Sequence, residues 1–401
     1  MKLFIRNNFI ARIAVLPTIF TLITGCGLMH DDTPPCATDP RVTVSVNFIY
    51  DYNMDDVDLF DRQAGSVFLY IFDDKGIFQS RYEKTRMTMS DPSHPDFSMT
   101  FEATDNLELE MGKTYQFVAV ASDSDDGYNE DDEAPGFKLV NRMIPGVSTI
   151  NDYILRLNRD DKMFSDFGVV DYTSDYSSED AMIETVWTTK PDEVQVHTIP
   201  YLKAEFDSPN QLPDYVEEVK IPMMRITNSI EIALTSPSFT SATKSTDYDI
   251  LIYFPNGNGT IDFVGETLTE ISQPLYYRAL RKRVDTYTDN RGSRAEEDSA
   301  TDGAQQYAIY ATFGVSRLKY DDGASLQVRD PETHEILAQI DNFSQYLNDR
   351  GNMDYDDPQE YLDREFDFRV NIGLTPSDDL WWSQVGIGIH DWAVKDWYIG
   401  L

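Results

Sequence analysis

The sequence predicts an all-β fold made of two β-sandwich domains. Short runs of alternating apolar and polar residues recur along the chain, as where Val42, Val44, Val46 and Phe48 alternate with polar residues. This period of two is typical of strands with one buried face. Turn-rich stretches separate the runs and no long helical period appears, which favours a sandwich. The 401 residues, 41% of them hydrophobic and 12% aromatic, are sufficient for two cores.

Residues 1–25 have the composition of a secretory signal peptide. Basic residues at positions 2, 6 and 12 precede an apolar run over residues 13–23. A charged region followed by an apolar region of this length is typical of an exported precursor rather than of a membrane-spanning helix. We therefore expect this segment to be removed on export.

The end of this segment resembles the lipobox of bacterial lipoproteins. Gly25 stands immediately before Cys26, and the resemblance implies cleavage between these two residues, a diacylglycerol on the Cys26 thiol and a third acyl chain on its new amino group. Three acyl chains would make membrane attachment effectively permanent. The alternative is an ordinary signal peptide with Cys26 in a core or a disulfide. If Cys26 is lipidated, Cys36 has no intrachain partner and is expected to be a free thiol or part of an intermolecular bridge.

The charge of the chain limits its partners. There are 70 acidic and 33 basic residues, which gives a formal net charge of −37. So negative a chain repels phosphate backbones and anionic lipids, which disfavours nucleic acid binding and direct electrostatic binding to a membrane. We expect attachment to the membrane to come from the lipid alone.

The first predicted domain follows a short tether. Residues 26–40 are polar and contain Pro34 and Pro35, which suits a link between lipid and fold. The N-terminal sandwich is predicted over residues 41–212. Its clearest strands are 42–48, 66–72, 97–101, 115–121 and 153–157. Asp73-Asp74-Lys75-Gly76, directly after the second strand, is a hairpin signal.

The second predicted domain covers residues 213–401. Residues 159–182 are acidic and rich in serine, and we place the passage between domains from there to about residue 213. The clearest strands of the C-terminal sandwich are 219–225, 229–234, 249–254, 308–315 and 366–372. Residues 285–306 have almost no apolar content and predict an exposed loop, and a short helix is expected around residues 342–348.

Three parts of the chain, taken in their order and spacing, resemble the anchor lipoproteins of type V fimbriae. They are residues 48–76, residues 219–234 with Met224-Arg225-Ile226-Thr227-Asn228 at their centre, and residues 358–365 together with the Trp-rich segment that ends at Trp392. No single motif among them is diagnostic, but the set touches both halves and the lipobox.

The resemblance implies two transthyretin-like β-sandwich domains in an outer-membrane lipoprotein that anchors a fimbrium and limits its length. Its partners would be fimbrial stalk or accessory subunits, which in this family join by strand exchange. Stalk subunits open their groove by proteolysis at a basic residue after a prosegment. Arg41 precedes the first strand here, but a cut there would remove the lipid on Cys26, so we expect the chain to stay uncut.

The C-terminal tail departs from the family pattern, because the chain continues beyond Trp392 through residues 393–401. We hypothesise that this tail is an accessory strand that contacts a stalk subunit through Trp392, Val394, Trp397 and Ile399. The alternative is that it completes its own sheet.

Enzyme chemistry finds no support in the motifs. The five histidines form no His-x-x-x-His pair, and the chain has no Gly-x-Ser-x-Gly elbow or phosphate-binding glycine loop. We expect no catalysis and no cofactor. The acidic segments 123–133 and 349–357 offer oxygen ligands for calcium, but they lack the spacing of a calcium loop, so solvated loops are the simpler interpretation.

Two other functions stay open. Trp381, Trp382, Trp392 and Trp397 could form a sugar-stacking platform, as in a surface glycan-binding lipoprotein, although their place within a strand-like alternation favours core packing. A fimbrial tip or adhesin subunit of the same fold is the other alternative. The sequence favours a surface-exposed lipoprotein, held in the outer membrane by its lipid, that anchors a fimbrium.

Overall fold

The computed structural model describes residues 42–103, 109–124, 137–157, 160–164, 167–170, 185–191, 193–201, 215–287, 306–352, 355–374 and 386–387. The all-β prediction is confirmed, since this part of the chain consists mainly of strands with three short α-helices. None of its helices has the length and apolar content that a membrane crossing requires.

In the first half, the described residues form eleven strands and one short α-helix, and five of the strands correspond to predicted ones. The elements of this half are β1 (Val42–Ile49), α1 (Phe60–Gln63), β2 (Ser66–Asp73), β3 (Phe78–Thr85), β4 (Met99–Ala103), β5 (Thr114–Ser122), β6 (Phe137–Leu139), β7 (Leu155–Leu157), β8 (Asp160–Phe164), β9 (Phe167–Val170), β10 (Val186–Thr189) and β11 (Gln195–Thr198). The predicted hairpin turn joins β2 to β3: Asp73 Oδ1 accepts hydrogen bonds from the backbone N–H groups of Lys75 at 2.9 Å and Ile77 at 2.8 Å.

The second half contains the remaining strands and the two longer helices. They are β12 (Tyr215–Arg225), β13 (Thr227–Thr235), β14 (Asp249–Phe254), β15 (Thr260–Ile261), β16 (Leu275–Arg278), β17 (Arg281–Thr286), β18 (Tyr307–Ser316), β19 (Ser325–Arg329), β20 (Ile336–Ile340), α2 (Phe343–Gly351), α3 (Pro358–Arg364), β21 (Asp367–Gly373) and β22 (Gly386–Ile387). The helix expected near residue 342 is α2, whereas α3 was not predicted.

β1 lies inside the largest sheet, whose strand order is β3-β2-β5-β10-β12-β1-β4, with β11 also paired to β5. β1 pairs in parallel with β12 on one side and antiparallel with β4 on the other. Its alternate residues Val42, Val44 and Val46 are fully buried, as the period of two predicts. They share a core with residues of β2, β5 and β12 and with Trp187 of β10.

The other strands form three further sheets. Their orders are β17-β18-β13-β21-β22, β20-β19-β14-β16-β9-β8 and β15-β7-β6. Alternate residues of β13, such as Ile230 and Ile232, share one buried cluster with Ile250 and Ile252 of β14. Two sheets that bury their inner faces in a common core make the β-sandwich of this half.

The core of the second sandwich continues into the first half. Phe68 and Tyr70 of β2 and Val118 of β5 belong to the same buried cluster as β13 and β14, together with Leu155 of the three-stranded sheet. Val67 and Leu69 of β2 instead face the other core. β2 is therefore buried on both faces, which explains why residues 66–72 are apolar without a clean alternation.

The division into domains at residues 212 and 213 remains a proposal. β12 begins at Tyr215 and pairs with β1 over eight residue pairs, and β13 begins at Thr227 in a different sheet. Strand pairing alone would place the division at Ile226, between these two strands.

Candidate functional site

The residues predicted to act in attachment lie outside the described part of the chain. They are Gly25 and Cys26 at the lipobox and Trp392, Val394, Trp397 and Ile399 in the tail. Their roles remain predictions. The structure does describe much of the three segments that carry the family resemblance, and it brings parts of them together at one junction.

The first component of this junction is the loop after β1, which its own side chains hold together by hydrogen bonds. Asp58 Oδ1 accepts hydrogen bonds from the N–H groups of Tyr50 and Phe60, each at 3.0 Å. Asn53 Nδ2 donates to the carbonyl oxygens of Tyr50 at 3.0 Å and Val57 at 2.8 Å. Hydrogen bonds from short polar side chains take the place of backbone pairing between strands here and determine the conformation of the loop.

The second component is α3, whose start is set by a capping residue. The Asp357 side chain accepts a hydrogen bond from Gln359 N–H at 2.9 Å, and Pro358 occupies the first turn. The helix ends with Arg364 in its last turn. The helix thereby presents Arg364 to the loop after β1.

Arg364 binds that loop through hydrogen bonds and a cation–π contact. Its Nη1 donates to Asp56 Oδ1 at 2.6 Å and to the Asn53 carbonyl oxygen at 3.1 Å. Its guanidinium carbon lies 4.4 Å from the centre of the Tyr52 ring, and Lys190 Nζ lies 4.2 Å from the same centre. Two cations on one aromatic ring tie together the first loop, the β10–β11 connection and α3.

Tyr52 is held as a neutral phenol by this environment. Burial and, to a smaller extent, the nearby carboxylates of Asp363 and Glu360 raise the pKa of Tyr52 to about 12, although Arg364 and Arg317 oppose this rise.

A largely buried ion cluster lies next to α3. It is centred on Arg317, the residue that follows β18. Its Nε and Nη2 donate to the two carboxylate oxygens of Asp363, both at 2.7 Å, and its Nη1 donates to Glu266 at 2.9 Å. Burial alone would lower the pKa of Arg317, but the hydrogen bonds and charges of Asp363 and Glu266 outweigh it and raise the pKa. Lys319 also contacts Glu266. The bidentate hydrogen bonds and the opposite charge of Asp363 offset the cost of burying the Arg317 guanidinium, as a buried charge requires.

The loop that supplies Glu266 depends on one glycine. Asp262 Oδ1 accepts hydrogen bonds from the N–H groups of Val264 at 3.0 Å and Glu266 at 2.9 Å. Gly265 between them has a φ of +74°, and a Cβ there would lie 2.5 Å from Thr188 Oγ1. Only glycine accommodates both this φ and this close approach.

Arg225 at the end of β12 completes the junction. Its Nε donates to the Thr227 carbonyl oxygen at 2.8 Å, and its guanidinium carbon lies 4.3 Å from the centre of the Phe366 ring. Burial lowers its pKa, whereas the charges of Tyr50, Asp123, Asp367 and Glu365 act to raise it. Arg225 therefore lies among groups from the three resembling segments.

This arrangement joins distant structural elements. Among the residues that the structure describes, no group of three or more His, Cys, Asp or Glu residues could hold a metal ion. His94 pairs with Asp91 in an exposed turn, and His197 contacts Glu217 at 3.4 Å. Most of the acidic segment 123–133 lies outside the described residues.

Sequence reasoning missed most of the residues of this junction. Arg225, Asp363 and Arg364 belong to the resembling segments, but the sequence does not predict their contacts or those of Arg317. The Asp357-Pro358 pair is a helix-start signal that could have revealed α3.

Comparison with known proteins agrees with the fold and with the resemblance. The model of the family described as "Fimbrillin-A associated anchor proteins Mfa1 and Mfa2" matches residues 29–396. None of the curated proteins matches the chain.

Several solved structures are similar. The fimbrial anchor protein Mfa2 from Porphyromonas gingivalis has a TM-score of 0.52 at 16% identity, covering 87% of this chain and 97% of that one. A candidate polysaccharide-binding protein from Bacteroides thetaiotaomicron has a TM-score of 0.58 at 20% identity, covering 86% and 96%. A candidate adhesin from the same species has a TM-score of 0.59 at 20% identity, covering 88% and 97%. At such identities these likenesses establish the fold alone.

Proposed function

Because this chain belongs to the family of fimbrillin-A associated anchor proteins Mfa1 and Mfa2, we propose that it anchors a fimbrium to the outer membrane through a lipid on Cys26. Membership makes it a fimbria-associated protein of the cell surface. Anchoring, limitation of fimbrial length and a contact with stalk subunits through the tail are the finer parts of the proposal.

The position of β1 is the observation that carries anchoring. The proposed tether ends at the strand that lies between β12 and β4. A pull on the tether directed along β1 would load its backbone hydrogen bonds together, on both sides, instead of opening them one after another. The eight residue pairs with β12 and five with β4 suit a strand that has to resist tension.

Burial of β1 also supports an uncut chain. Val42, Val44 and Val46 are 0% exposed and Phe48 is 6% exposed. Releasing this strand to open an acceptor groove would remove four core side chains, each worth about 1.5–3 kcal/mol of burial. We therefore propose that β1 keeps its own groove filled and that the stalk is contacted elsewhere.

The proposed stalk contact through Trp392, Val394, Trp397 and Ile399 rests on the sequence of the tail, since these residues lie outside the described part of the chain.

Electron microscopy of cells that carry Cys26→Ala tests anchoring. We expect long fimbriae in the culture medium and few on cells, since the polymer would have lost its lipid attachment. Cys36→Ala is the matched control and should leave fimbriae on the cells. Cell-attached fimbriae of normal length in the Cys26 variant would remove the anchor role and favour a tip subunit or a glycan-binding lipoprotein.

The tail contact has a separate test that keeps the lipid. The double variant Trp392→Glu, Val394→Glu should remain in the membrane fraction but lose co-purification with stalk subunits. Lys395→Glu, in the same segment, is the matched control. Unchanged co-purification of the double variant would contradict the tail contact and leave anchoring through another surface open to the first test.

A further inference from the structure

The edge strand β17 carries concentrated positive charge on an acidic chain. β17 contains Arg281, Lys282 and Arg283 and one acidic residue, Asp285, whereas the whole chain has 70 acidic and 33 basic residues. Among the strands of the described chain, β17 stands at the end of its five-stranded sheet, next to β18. The basic residues are therefore found where a sheet can accept another strand.

The backbone register shows which groups of β17 face the free edge. Tyr287 N–H donates to the Gln306 carbonyl oxygen at 2.8 Å, which extends the register of the β17–β18 pair. In an antiparallel ladder, residues that bond to the neighbouring strand alternate with residues that do not. The N–H and C=O groups of Lys282, Val284 and Thr286 therefore point away from β18, toward the edge of the sheet. The Thr286 N–H agrees with this, because it donates to Asp285 Oδ1 at 2.7 Å rather than to β18.

The side chains of β17 divide between the two faces of the sheet. The side chain of Lys282 lies on the inner face of the sheet, where its Nζ donates to the Tyr248 carbonyl oxygen at 3.1 Å. On the outer face, Arg283 lies 3.3 Å from Glu231. Arg281 is exposed, and no ion pair joins it to any residue of the described chain. Its positive charge is thus available at the outer face of the edge.

We propose that the free edge of β17 binds an extended acidic segment of a partner protein, which adds as a further strand. Backbone groups of Lys282, Val284 and Thr286 would hold the segment, and carboxylates at alternate positions would lie beside Arg281 and Arg283. Charged edge strands also prevent unwanted pairing. Here the same charges would repel a second β17 edge and select an acidic strand, so the choice of partner follows from charge. This inference does not depend on the anchoring role.

Binding of labelled peptides to the purified mature chain tests this surface. The probes are a ten-residue peptide of alternating Glu and Val and a matched peptide of alternating Lys and Val, followed by fluorescence anisotropy. We expect the Glu peptide to bind and the Lys peptide not to bind. Arg281→Glu should weaken binding about threefold to tenfold, because it replaces an attraction across the strand pair by a repulsion.

Two variants separate strand addition from simple charge attraction. Arg369→Glu changes an exposed arginine of β21, three strands away from β17 on the same face of the sheet, and should leave binding unchanged. Thr286→Pro removes an outward N–H at a position where an edge strand tolerates proline, and should weaken binding without altering charge. Circular dichroism checks that each variant folds.

Three outcomes would overturn the proposal. They are absence of binding by the Glu peptide, equal loss of binding in Arg281→Glu and Arg369→Glu, and full binding by Thr286→Pro. Binding that appears only after residues 289–304 are replaced by a short turn would also overturn it, since the edge would then not be open in the intact chain.

Discussion

Arg364 and Asp56, 308 positions apart in the chain, are joined by a hydrogen bond of 2.6 Å from Nη1 to Oδ1. The Asp56 side chain is 74% exposed, whereas that of Arg364 is 15% exposed. Water screens an ion pair with so exposed a partner. The contact of Arg364 with the Tyr52 ring and the Asn53 carbonyl oxygen is therefore expected to stabilise the junction more than the ion pair does.

Arg364→Met should lower the free energy of unfolding by about 1–2 kcal/mol, through loss of the cation–π contact and of hydrogen bonds. Asp56→Ala should cost less than about 1 kcal/mol. Urea denaturation measures both, with Arg369→Met, on an exposed face, as the control. A larger loss for Asp56→Ala than for Arg364→Met would contradict this ranking.

Asp363→Ala should be among the most destabilising single substitutions, at about 3–5 kcal/mol, because it leaves the Arg317 guanidinium buried without its bidentate partner. Glu266→Gln should cost less, since Glu266 is partly exposed and Gln can still accept a hydrogen bond. The measurement is again the free energy of unfolding in urea. A cost below about 1 kcal/mol for Asp363→Ala would show that water reaches Arg317 in solution.

Gly265→Ala should destabilise the chain by about 1–3 kcal/mol, because the new Cβ combines a left-handed backbone with a contact to Thr188 Oγ1. Gly146 also has a positive φ, of +73°, but no heavy atom lies within 4 Å of its Cβ position. Gly146→Ala therefore reports backbone strain alone and serves as the control. Equal losses of stability in the two variants would show that the close approach to Thr188 has no energetic effect.

A chain that begins after Ile49 should fail to fold, because it lacks Val42, Val44, Val46 and Phe48 from the core. Their burial is worth about 6–12 kcal/mol in total, comparable with the whole stability of a domain. A peptide of residues 42–49, added in excess, should restore a cooperative unfolding transition. A chain that begins at Arg41 is the control and should fold unaided. Cooperative unfolding of the shortened chain without peptide would contradict the central role of β1.

Stability should fall as the pH rises from about 10 to 12, partly because of Tyr50. Burial raises the pKa of Tyr50 from 10.0 to about 12. In this interval the unfolded chain releases the phenolic proton more readily than the folded chain does. The contribution of Tyr50 to stability is therefore complete below its pKa in the unfolded chain, and it is lost as the pH rises through its pKa in the folded chain. The slope for one such group is at most about 1.4 kcal/mol per pH unit. Tyr50→Phe should reduce the slope, as measured by urea unfolding at several alkaline pH values, and an unchanged slope would contradict the assignment.

Local patterns in the sequence predicted much of the fold. The alternation of Val42, Val44 and Val46 predicted β1, and the Asp73-Asp74-Lys75-Gly76 turn predicted the β2–β3 hairpin. These features depend on residues near one another in the chain, where side-chain period and turn chemistry restrict the backbone directly. The family resemblance, which rested on the order of several segments, is confirmed by the match over residues 29–396.

The junction could not be predicted in the same way. With 70 acidic and 33 basic residues, nothing in the local sequence distinguishes Asp363 and Arg317, which are buried together, from charges on solvated faces. Their pairing, like the contact of Arg364 with Asp56, depends on how distant strands and α3 are arranged.

The sequence by itself determined where strands form, which faces are apolar and how acidic the surface is, because period, turn residues and charge act locally. Only the tertiary structure decided that β1 lies between β12 and β4, that Arg317 meets Asp363, and that β17 is left at an edge. Those outcomes depend on the combined energy of many contacts between distant segments, and a local pattern fits several such arrangements equally well.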